Sequence, residues 1–153
     1  MPQDAAPPAG IQIGDFTAAD ITADQAIARY AAGFFPMPAS SYARMLLQDQ
    51  APSADAAAHM PISWCRSIPP AGVPVRALRV PRRLRKTVRR QPYRVSIDTA
   101  FTQVLEACAD PARPGHWITE EVALLAQRLH TAGHAHSVEV WNGDTLVGGL
   151  YGT

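Results

Sequence analysis

The residues with the clearest chemical potential in this sequence are cationic. Nine of the 14 Lys and Arg residues fall between Arg76 and Arg94, with no acidic residue among them. The densest part, RRLRKTVRR, follows Pro81, a residue that suits the first position of a helix, so a basic helix is predicted over 81–90. Like charges four residues apart destabilise an isolated helix, so something must compensate. The sequence leaves two interpretations open: a solvated face, or a surface that binds a polyanion.

Histidines and cysteines are the other residues able to do chemistry. His130, His134 and His136 offer three imidazoles, but no thiolate or carboxylate stands near them in sequence to complete a zinc site. We therefore favour ordinary helix-end and strand-entry histidines, and expect no metal. Cys65 and Cys108 are far apart and form no CxxC pair, which is typical of reduced thiols in a cytosolic protein.

A glycine-rich run, GGLYG at 148–152, resembles a phosphate loop only superficially. It lacks the GxxxxGK[ST] order and a following helix, and it lies in a strand pattern. Glycines inside a strand more often mark a bulge or a close backbone approach. No Ser/His/Asp or Cys/His set with specific spacing can be assembled.

The composition is that of one domain, or of a small domain plus part of another. The chain has 153 residues, 47% of them hydrophobic, and a net charge of +1. The start, MPQDAAPPAG, does not have the pattern of a signal peptide, and no run approaches the roughly 18 apolar residues of a membrane span. A soluble, cytoplasmic protein is predicted, with a flexible leader over 1–20.

The N-terminal half contains one well-defined helix, from Asp24 to about Ala32. Thr22 and Gln25 are spaced for a capping box, and Gly33 suits the position after the helix end. Residues 38–60 are interpreted as a surface insertion, in which Tyr42–Leu47 is a possible short helix.

Two further segments precede the next firm strand. Prolines at 69, 70 and 74 divide the stretch after Ile62 into short extended pieces, including Val73–Val75 and Ala77–Val80. On the basic helix, Leu84 and Val88 are expected on the inner side.

The C-terminal half alternates strands and helices. Tyr93, Val95 and Ile97 predict a half-buried strand. A helix follows with an apolar face made of Phe101, Val104, Leu105 and Cys108. Trp117 then precedes a second helix, N-capped by Thr119 and stopped by Gly133, whose inner face is predicted to be Val122, Leu125, Ala126 and Leu129. Strands at Ser137–Trp141 and Thr145–Tyr151 flank Asn142-Gly143, a strong hairpin signal. The order strand, helix, helix, strand, strand predicts an α+β fold on an antiparallel sheet.

Three stretches together resemble the leucyl/phenylalanyl-tRNA–protein transferase family. They are ITADQAIARYAAGFFPM at 21–37, VPRRLRKTVRRQPYRVSIDTAF at 80–101, and HWITEEVALLAQRLHTAGHAHSVEVWNGDTLVGGLYG at 116–152. The resemblance implies an enzyme that moves Leu, Phe or Met from aminoacyl-tRNA to the N-terminal Arg or Lys of a protein, which marks that protein for degradation. It also implies a small N-terminal domain over 21–95, followed from 96 by the first part of an acyltransferase domain of the GNAT type. No cofactor or membrane is implied, and we expect a monomer.

The resemblance also assigns roles to residues. The cations matching the family's tRNA-binding helix are Arg82, Arg85, Lys86, Arg89 and Arg90. Trp117 matches the aromatic that packs on the terminal adenosine of the tRNA, and Tyr30 and Met37 match positions around the same aminoacyl-adenosine pocket. Without the resemblance, we would interpret Tyr30 and Trp117 as aromatic residues of the hydrophobic core.

The sequence departs from the family pattern in places. Met37 stands where some members have Trp, Ala126 replaces a common Tyr, and the tryptophan- and acid-rich segment is reduced to Ile62–Arg66. The family's catalytic Asp and Gln lie beyond Thr153, so we expect a C-terminally truncated chain without its own catalytic residues. The alternative functions are an inactive RNA-binding remnant and an acyl-CoA-dependent N-acyltransferase. The latter is disfavoured because its Arg/Gln-x-x-Gly-x-Gly/Ala loop is missing.

Overall fold

Four α-helices and two three-stranded antiparallel sheets make up the described part of the computed structural model, which covers residues 10–39, 61–70, 72, 74–90, 92–114 and 117–153. The strands are β1 (Gly10–Thr17), β2 (Phe35–Pro38), β3 (Ile62–Ile68), β4 (Arg94–Ile97), β5 (His136–Asn142) and β6 (Thr145–Gly152). The helices are α1 (Ala23–Ala31), α2 (Arg82–Arg90), α3 (Phe101–Ala109) and α4 (Glu120–Thr131). The predicted helix at Tyr42–Leu47 and nearly all of the predicted insertion lie outside the described residues. None of the helices in the described ranges is long and apolar enough to cross a membrane.

The first sheet has the strand order β1-β3-β2. Its central strand, β3, is the best buried, since Ile62 through Cys65 are all enclosed. Strand β1 lies within the segment predicted as a leader and pairs with β3, so that residues 10–17 belong to the sheet.

The predicted cap residues stand at the ends of α1 and α4, but the Thr119 side chain makes no capping hydrogen bond. In α1 the Thr22 side chain accepts from the Gln25 amide while the Gln25 side chain accepts from the Thr22 amide, which confirms the predicted capping box. Gly33 and Gly133 both adopt positive φ, at 82° and 77°, immediately after the capping residue of their helices. The amide after Gly33 donates to Arg29, and that after Gly133 donates to Leu129, as in the Schellman motif.

The second sheet has the order β4-β5-β6 and carries α3 on one face, while α4 packs on α3, α1 and β2. The predicted hairpin is confirmed: Asn142 pairs with Thr145, and Gly143 has φ 59° in the two-residue turn between them. The inward faces predicted for α3 and α4 are also confirmed, since Val104, Leu125 and Leu129 are each about 1% exposed. Together the elements confirm an α+β arrangement.

One buried cluster joins the two sheets. It combines residues of α1 and β3 with residues of α3 and α4: Ile21, Ala26, Ile62, Trp64, Phe101, Leu105, Val122, Leu125, Ala126, Leu129 and Ala135. The division into domains 21–95 and 96–153 remains a prediction, and this shared core spans both of the predicted parts.

Two predictions about the middle of the chain were wrong, while the basic helix predicted over 81–90 is confirmed as α2. Val75–Ala77 forms a 3₁₀ turn rather than an extended piece. Leu84 and Val88 do not face inward, because they are 51% and 63% exposed and α2 buries none of its residues. Helix α2 starts at Arg82, with Pro81 supplying the carbonyl for its first bond.

The predicted face of β4 was also wrong. Val95 and Ile97 are 62% and 67% exposed, and Tyr93 is exposed as well, while Ser96 is the half-buried residue. The reason lies in β5, which turns Ser137 and Glu139 toward the helices. Ser96 pairs with Glu139 and donates a hydrogen bond to it, so the strand presents its polar side to the core.

Candidate functional site

Helix α2 presents the densest charge in the described chain. All nine of its residues are exposed and six are cationic, with Arg83 joining the five cations expected from the resemblance. Within the described ranges, the ion pairs closer than 4 Å involve Asp15 and Asp98, and none includes a residue of α2. The helix therefore offers unneutralised positive charge to solvent, as a polyanion-binding surface requires.

A cavity of about 500 Å³ is bordered by residues of α1, β2, α4 and the end of β6. Tyr30 and Trp117, which are 87 positions apart in the chain, both line it. The remaining lining residues are Phe35, Pro36, Cys108, Arg113, Pro114, Ile118, Val122, Leu125, Ala126, Leu129, Ala135, Gly149, Leu150, Tyr151, Gly152 and Thr153. Met37 is not among them, and β2 contributes Phe35 and Pro36 instead.

Trp117 is the part of the cavity wall that remains open to solvent. Its side chain is 38% exposed, and it lies two residues before Thr119, the N-terminal cap of α4. A half-exposed indole on an apolar cavity is a suitable surface for stacking a nucleobase. The departure at Ala126 lies deeper, since this residue is 7% exposed and lines the same cavity.

Tyr30 is held by a buried tryptophan. Its ring meets that of Trp64 edge to face, with 5.6 Å between centroids, and the Trp64 indole N–H donates to the Thr17 hydroxyl at 3.0 Å. Burial raises the pKa of Tyr30, while a hydrogen bond with Thr153 acts in the opposite direction. The phenol is therefore neutral at physiological pH and is able to donate a hydrogen bond into the cavity.

The end of β6 closes the cavity at its inner side. Tyr151 contacts Phe101 edge to face, and burial raises the pKa of Tyr151 to about 12. A Cβ atom on Gly149 would lie 2.8 Å from Val104 Cγ2 and 3.2 Å from the Val138 carbonyl. The close backbone approach predicted for the glycine run is thus confirmed at Gly149.

The three histidines do not share a metal site, although Asp98 lies beside two of them, 3.9 Å from His130 Nδ1 and 2.7 Å from His136 Nδ1. His130 stacks on Phe101 with 4.0 Å between centroids, and its Nδ1 is 2.8 Å from the Ala135 carbonyl. His136 Nδ1 is 2.7 Å from Asp98 Oδ2, and hydrogen bonds from His136 and from the Ser137 amide lower the pKa of Asp98. Through residues 10–39, 61–70 and the described parts of 72–153, no group of His, Cys, Asp and Glu is placed to hold a metal ion.

Arg113 is the cavity residue that sequence reasoning missed. It is the sole charged side chain among the described lining residues. The signal was the turn sequence Asp110-Pro111-Ala112-Arg113, in which Asp and Pro occupy their preferred turn positions and so fix where the arginine begins.

Comparison with known proteins gives one consistent result. A family model described as leucyl/phenylalanyl-tRNA protein transferase matches residues 73–153. Proteins carrying this transferase name include those of Nitratidesulfovibrio vulgaris strain DP4, 52% identical over 95 residues, and Afipia carboxidovorans, 39% identical over 140 residues. The first alignment covers 60% of this chain and 41% of the relative, and the second covers 90% and 55%.

A third relative, from Hyphomonas neptunium, is 54% identical over 82 residues, which are 52% of this chain and 32% of that protein. This chain therefore spans about half or less of the curated relatives that it matches. The family model covers more than half of this chain, including α2 and Trp117. The chain belongs to the leucyl/phenylalanyl-tRNA protein transferase family.

Proposed function

We propose that this chain binds aminoacyl-tRNA, as part of an enzyme that transfers Leu, Phe or Met to the N-terminal Arg or Lys of acceptor proteins. The observation that carries the proposal is the cavity, in which an open indole and a neutral phenol border an apolar space of about 500 Å³. The terminal adenosine would stack on Trp117, with Tyr30 opposite, and the apolar interior would take the amino-acid side chain.

Helix α2 would supply the sequence-independent part of the affinity. In this proposal Arg82, Arg85, Lys86, Arg89 and Arg90 contact tRNA phosphates, and Arg83 joins them. Exposed cations release counterions from a nucleic acid without reading its bases, which suits an enzyme that accepts several tRNAs.

The reaction would need little beyond positioning and proton transfer. The α-amine of the acceptor attacks the ester carbonyl of the aminoacyl-tRNA, and the 3′ oxygen of the tRNA leaves. The side chains of the described lining residues include no carboxylate or imidazole to accept the proton from that amine. In this scheme the chain contributes tRNA binding and orientation of the aminoacyl end. We further propose that β4, β5, β6, α3 and α4 form the start of a GNAT-type domain, and that the protein acts as a cytoplasmic monomer.

A second candidate is tRNA binding without transfer. It is favoured by the same absence of a side-chain proton acceptor from the described cavity lining. Transfer of labelled Phe to a peptide beginning with Arg separates the two, because only the enzyme forms the labelled peptide.

The binding proposal is tested by titrating Phe-tRNA at several salt concentrations. Arg82→Ala plus Arg89→Ala should reduce the slope of log K against log salt by about 2, because two phosphate contacts are lost. Arg76→Ala plus Arg79→Ala is the matched control, since it removes the same charge from exposed positions outside α2.

Trp117→Ala completes the same experiment. It should weaken binding by about 1–3 kcal/mol with the salt slope unchanged, because stacking involves no counterion. Trp117→Phe should recover part of the loss. Equal slopes for the two arginine pairs, or no binding of Phe-tRNA at low salt, would exclude the proposal.

A further inference from the structure

We propose that Arg113 binds the 5′-phosphate of the terminal nucleotide, that is, the phosphodiester that joins the aminoacylated adenosine to the rest of the tRNA. The inference rests on the proposed function and adds an electrostatic contact at the cavity, separate from those of α2. It starts from the charge of the lining residues, among which Arg113 has the single charged side chain in the described chain.

The backbone of Arg113 is fixed by the turn that follows α3. The Asp110 carboxylate accepts a hydrogen bond from the Ala112 amide at 2.8 Å, and the Arg113 amide donates to the Asp110 carbonyl at 3.1 Å. Asp is preferred at the first position of such a turn because its carboxylate accepts a backbone N–H, and Pro is preferred at the second because its ring fixes φ. The arginine is therefore presented from a defined turn at the cavity edge.

The guanidinium is oriented but not neutralised. Its Nη1 donates to the Ala107 carbonyl, near the C-terminal end of α3, at 3.3 Å. A guanidinium has five N–H donors, so most of them remain available. The nearby acidic groups are Asp110, which is engaged by the Ala112 amide, Glu106 on α3, and the terminal carboxylate of Thr153, which lines the same cavity. None of them lies within 4 Å of the guanidinium as an ion pair in the described chain.

The chemistry of the ligand identifies the anion. In an aminoacyl-tRNA the amino-acid carboxyl group is esterified and its α-amine is a potential cation, so the aminoacyl part has no negative charge to offer. The base and the ribose are neutral. The anion nearest to the adenosine is its 5′-phosphate, and arginine binds phosphate oxygens through paired N–H donors. Because Arg113 is exposed while it lines the cavity, the phosphate would remain at the rim and only the nucleoside would enter.

The test compares two stable ligands, 3′-phenylalanylamido-3′-deoxyadenosine and the same compound with a 5′-phosphate. The wild-type 153-residue chain should bind the phosphorylated compound about tenfold more tightly, as expected for a charge-assisted contact. Arg113→Gln should reduce this preference to within about twofold while its affinity for the neutral compound is unchanged. Arg113→Lys should keep an intermediate preference, and Arg79→Gln is the control for loss of one exposed charge elsewhere.

The outcomes separate this inference from the function on which it rests. If the wild type binds both compounds equally, or if Arg113→Gln keeps the full phosphate preference, the inference is wrong and the cavity proposal stands. If Arg113→Gln weakens both compounds equally, its role is structural and the inference is likewise wrong. If the wild type binds neither compound, both proposals are wrong. Should Arg113→Gln fail to fold, Arg113→Lys decides, because a phosphate preference equal to that of the wild type in this variant would contradict a paired guanidinium contact.

Discussion

Glu139 is a fully buried carboxylate whose hydrogen bonds explain the polar inner side of β5. The hydroxyls of Ser96 and Ser137 each donate to it at 2.5 Å, and the Ala100 amide donates at 3.4 Å. Ser96 in turn accepts from the Trp141 indole at 2.8 Å. These bonds connect β4, β5 and the start of α3, so they hold together the sheet that carries the cavity.

Replacing Glu139 by Gln should lower the free energy of unfolding by about 2–3 kcal/mol at pH 7, because the charged acceptor of two hydroxyl donors is lost. Burial raises the pKa of Glu139, but the bonds from Ser137 and Ser96 outweigh it and leave the pKa below its ordinary value. A lowered native pKa stabilises the fold above the unfolded-state pKa of about 4.3, and this contribution is lost as the pH falls through the native pKa.

Urea unfolding at several pH values between 7 and 3 checks this prediction. Wild-type stability should fall at the acidic end, and the fall should be shallower in Glu139→Gln. Glu106→Gln, on the exposed side of α3, is the control. Its unfolding free energy at pH 7 and the fall of that free energy toward acidic pH should both stay close to the wild-type values. A wild-type stability independent of pH over this range would contradict the assignment.

At the scale of the elements, the sequence predicted helices better than the faces of strands. Capping at Thr22 and the glycine ends at Gly33 and Gly133 depend on neighbouring residues, so local chemistry was sufficient. The alternation of Val95 and Ile97 showed that β4 has two different sides, but not which side is covered. That choice depends on Glu139, which is 42 residues away from Ile97 and whose bonding only the folded chain reveals.

The candidate site shows the same limit. Spacing alone would have left Tyr30 and Trp117 as core aromatics, and the family resemblance was needed to associate them. Arg113 was missed because a turn sequence fixes the backbone locally but does not say what cavity the turn borders. Met37 was expected at the pocket from the same resemblance, whereas its neighbours Phe35 and Pro36 line the cavity.

The close contact between α3 and β6 predicts how substitutions of the β6 glycines change stability. Gly149→Ala should destabilise the fold by about 1–3 kcal/mol, because the new methyl group would press on a branched Val104 side chain and on backbone that cannot yield. Gly148→Ala is the matched control on the same strand, since its Cβ would meet only Val140 at 3.8 Å. In thermal unfolding, the Gly148→Ala variant should have a clearly higher Tm than the Gly149→Ala variant. Equal stabilities would show that α3 moves freely away from β6.

The second sheet has its two faces in different environments. One face carries α3, while the opposite face brings Val95 beside Val140 and Ile97 beside Val138. Val95, Ile97 and Val147 are each more than half exposed. A contiguous apolar sheet face, with β4 and β6 as the outer strands of their sheet, favours non-specific aggregation of the 153-residue chain rather than a defined oligomer.

Val95→Thr plus Ile97→Thr should therefore reduce self-association of the 153-residue chain with little loss of stability. Threonine keeps the β-branched shape that suits a strand, and neither position contributes to the core, so the change in unfolding free energy should stay within about 1 kcal/mol. Light scattering against concentration, together with binding of a hydrophobic dye, measures the association. Val104→Thr is the control: it places a hydroxyl at a position 1% exposed in the core, so it should destabilise the fold without removing apolar surface from the open face. If the double variant associates as strongly as the wild type, the attraction between molecules resides elsewhere, and the basic surface of α2 becomes the next region to vary.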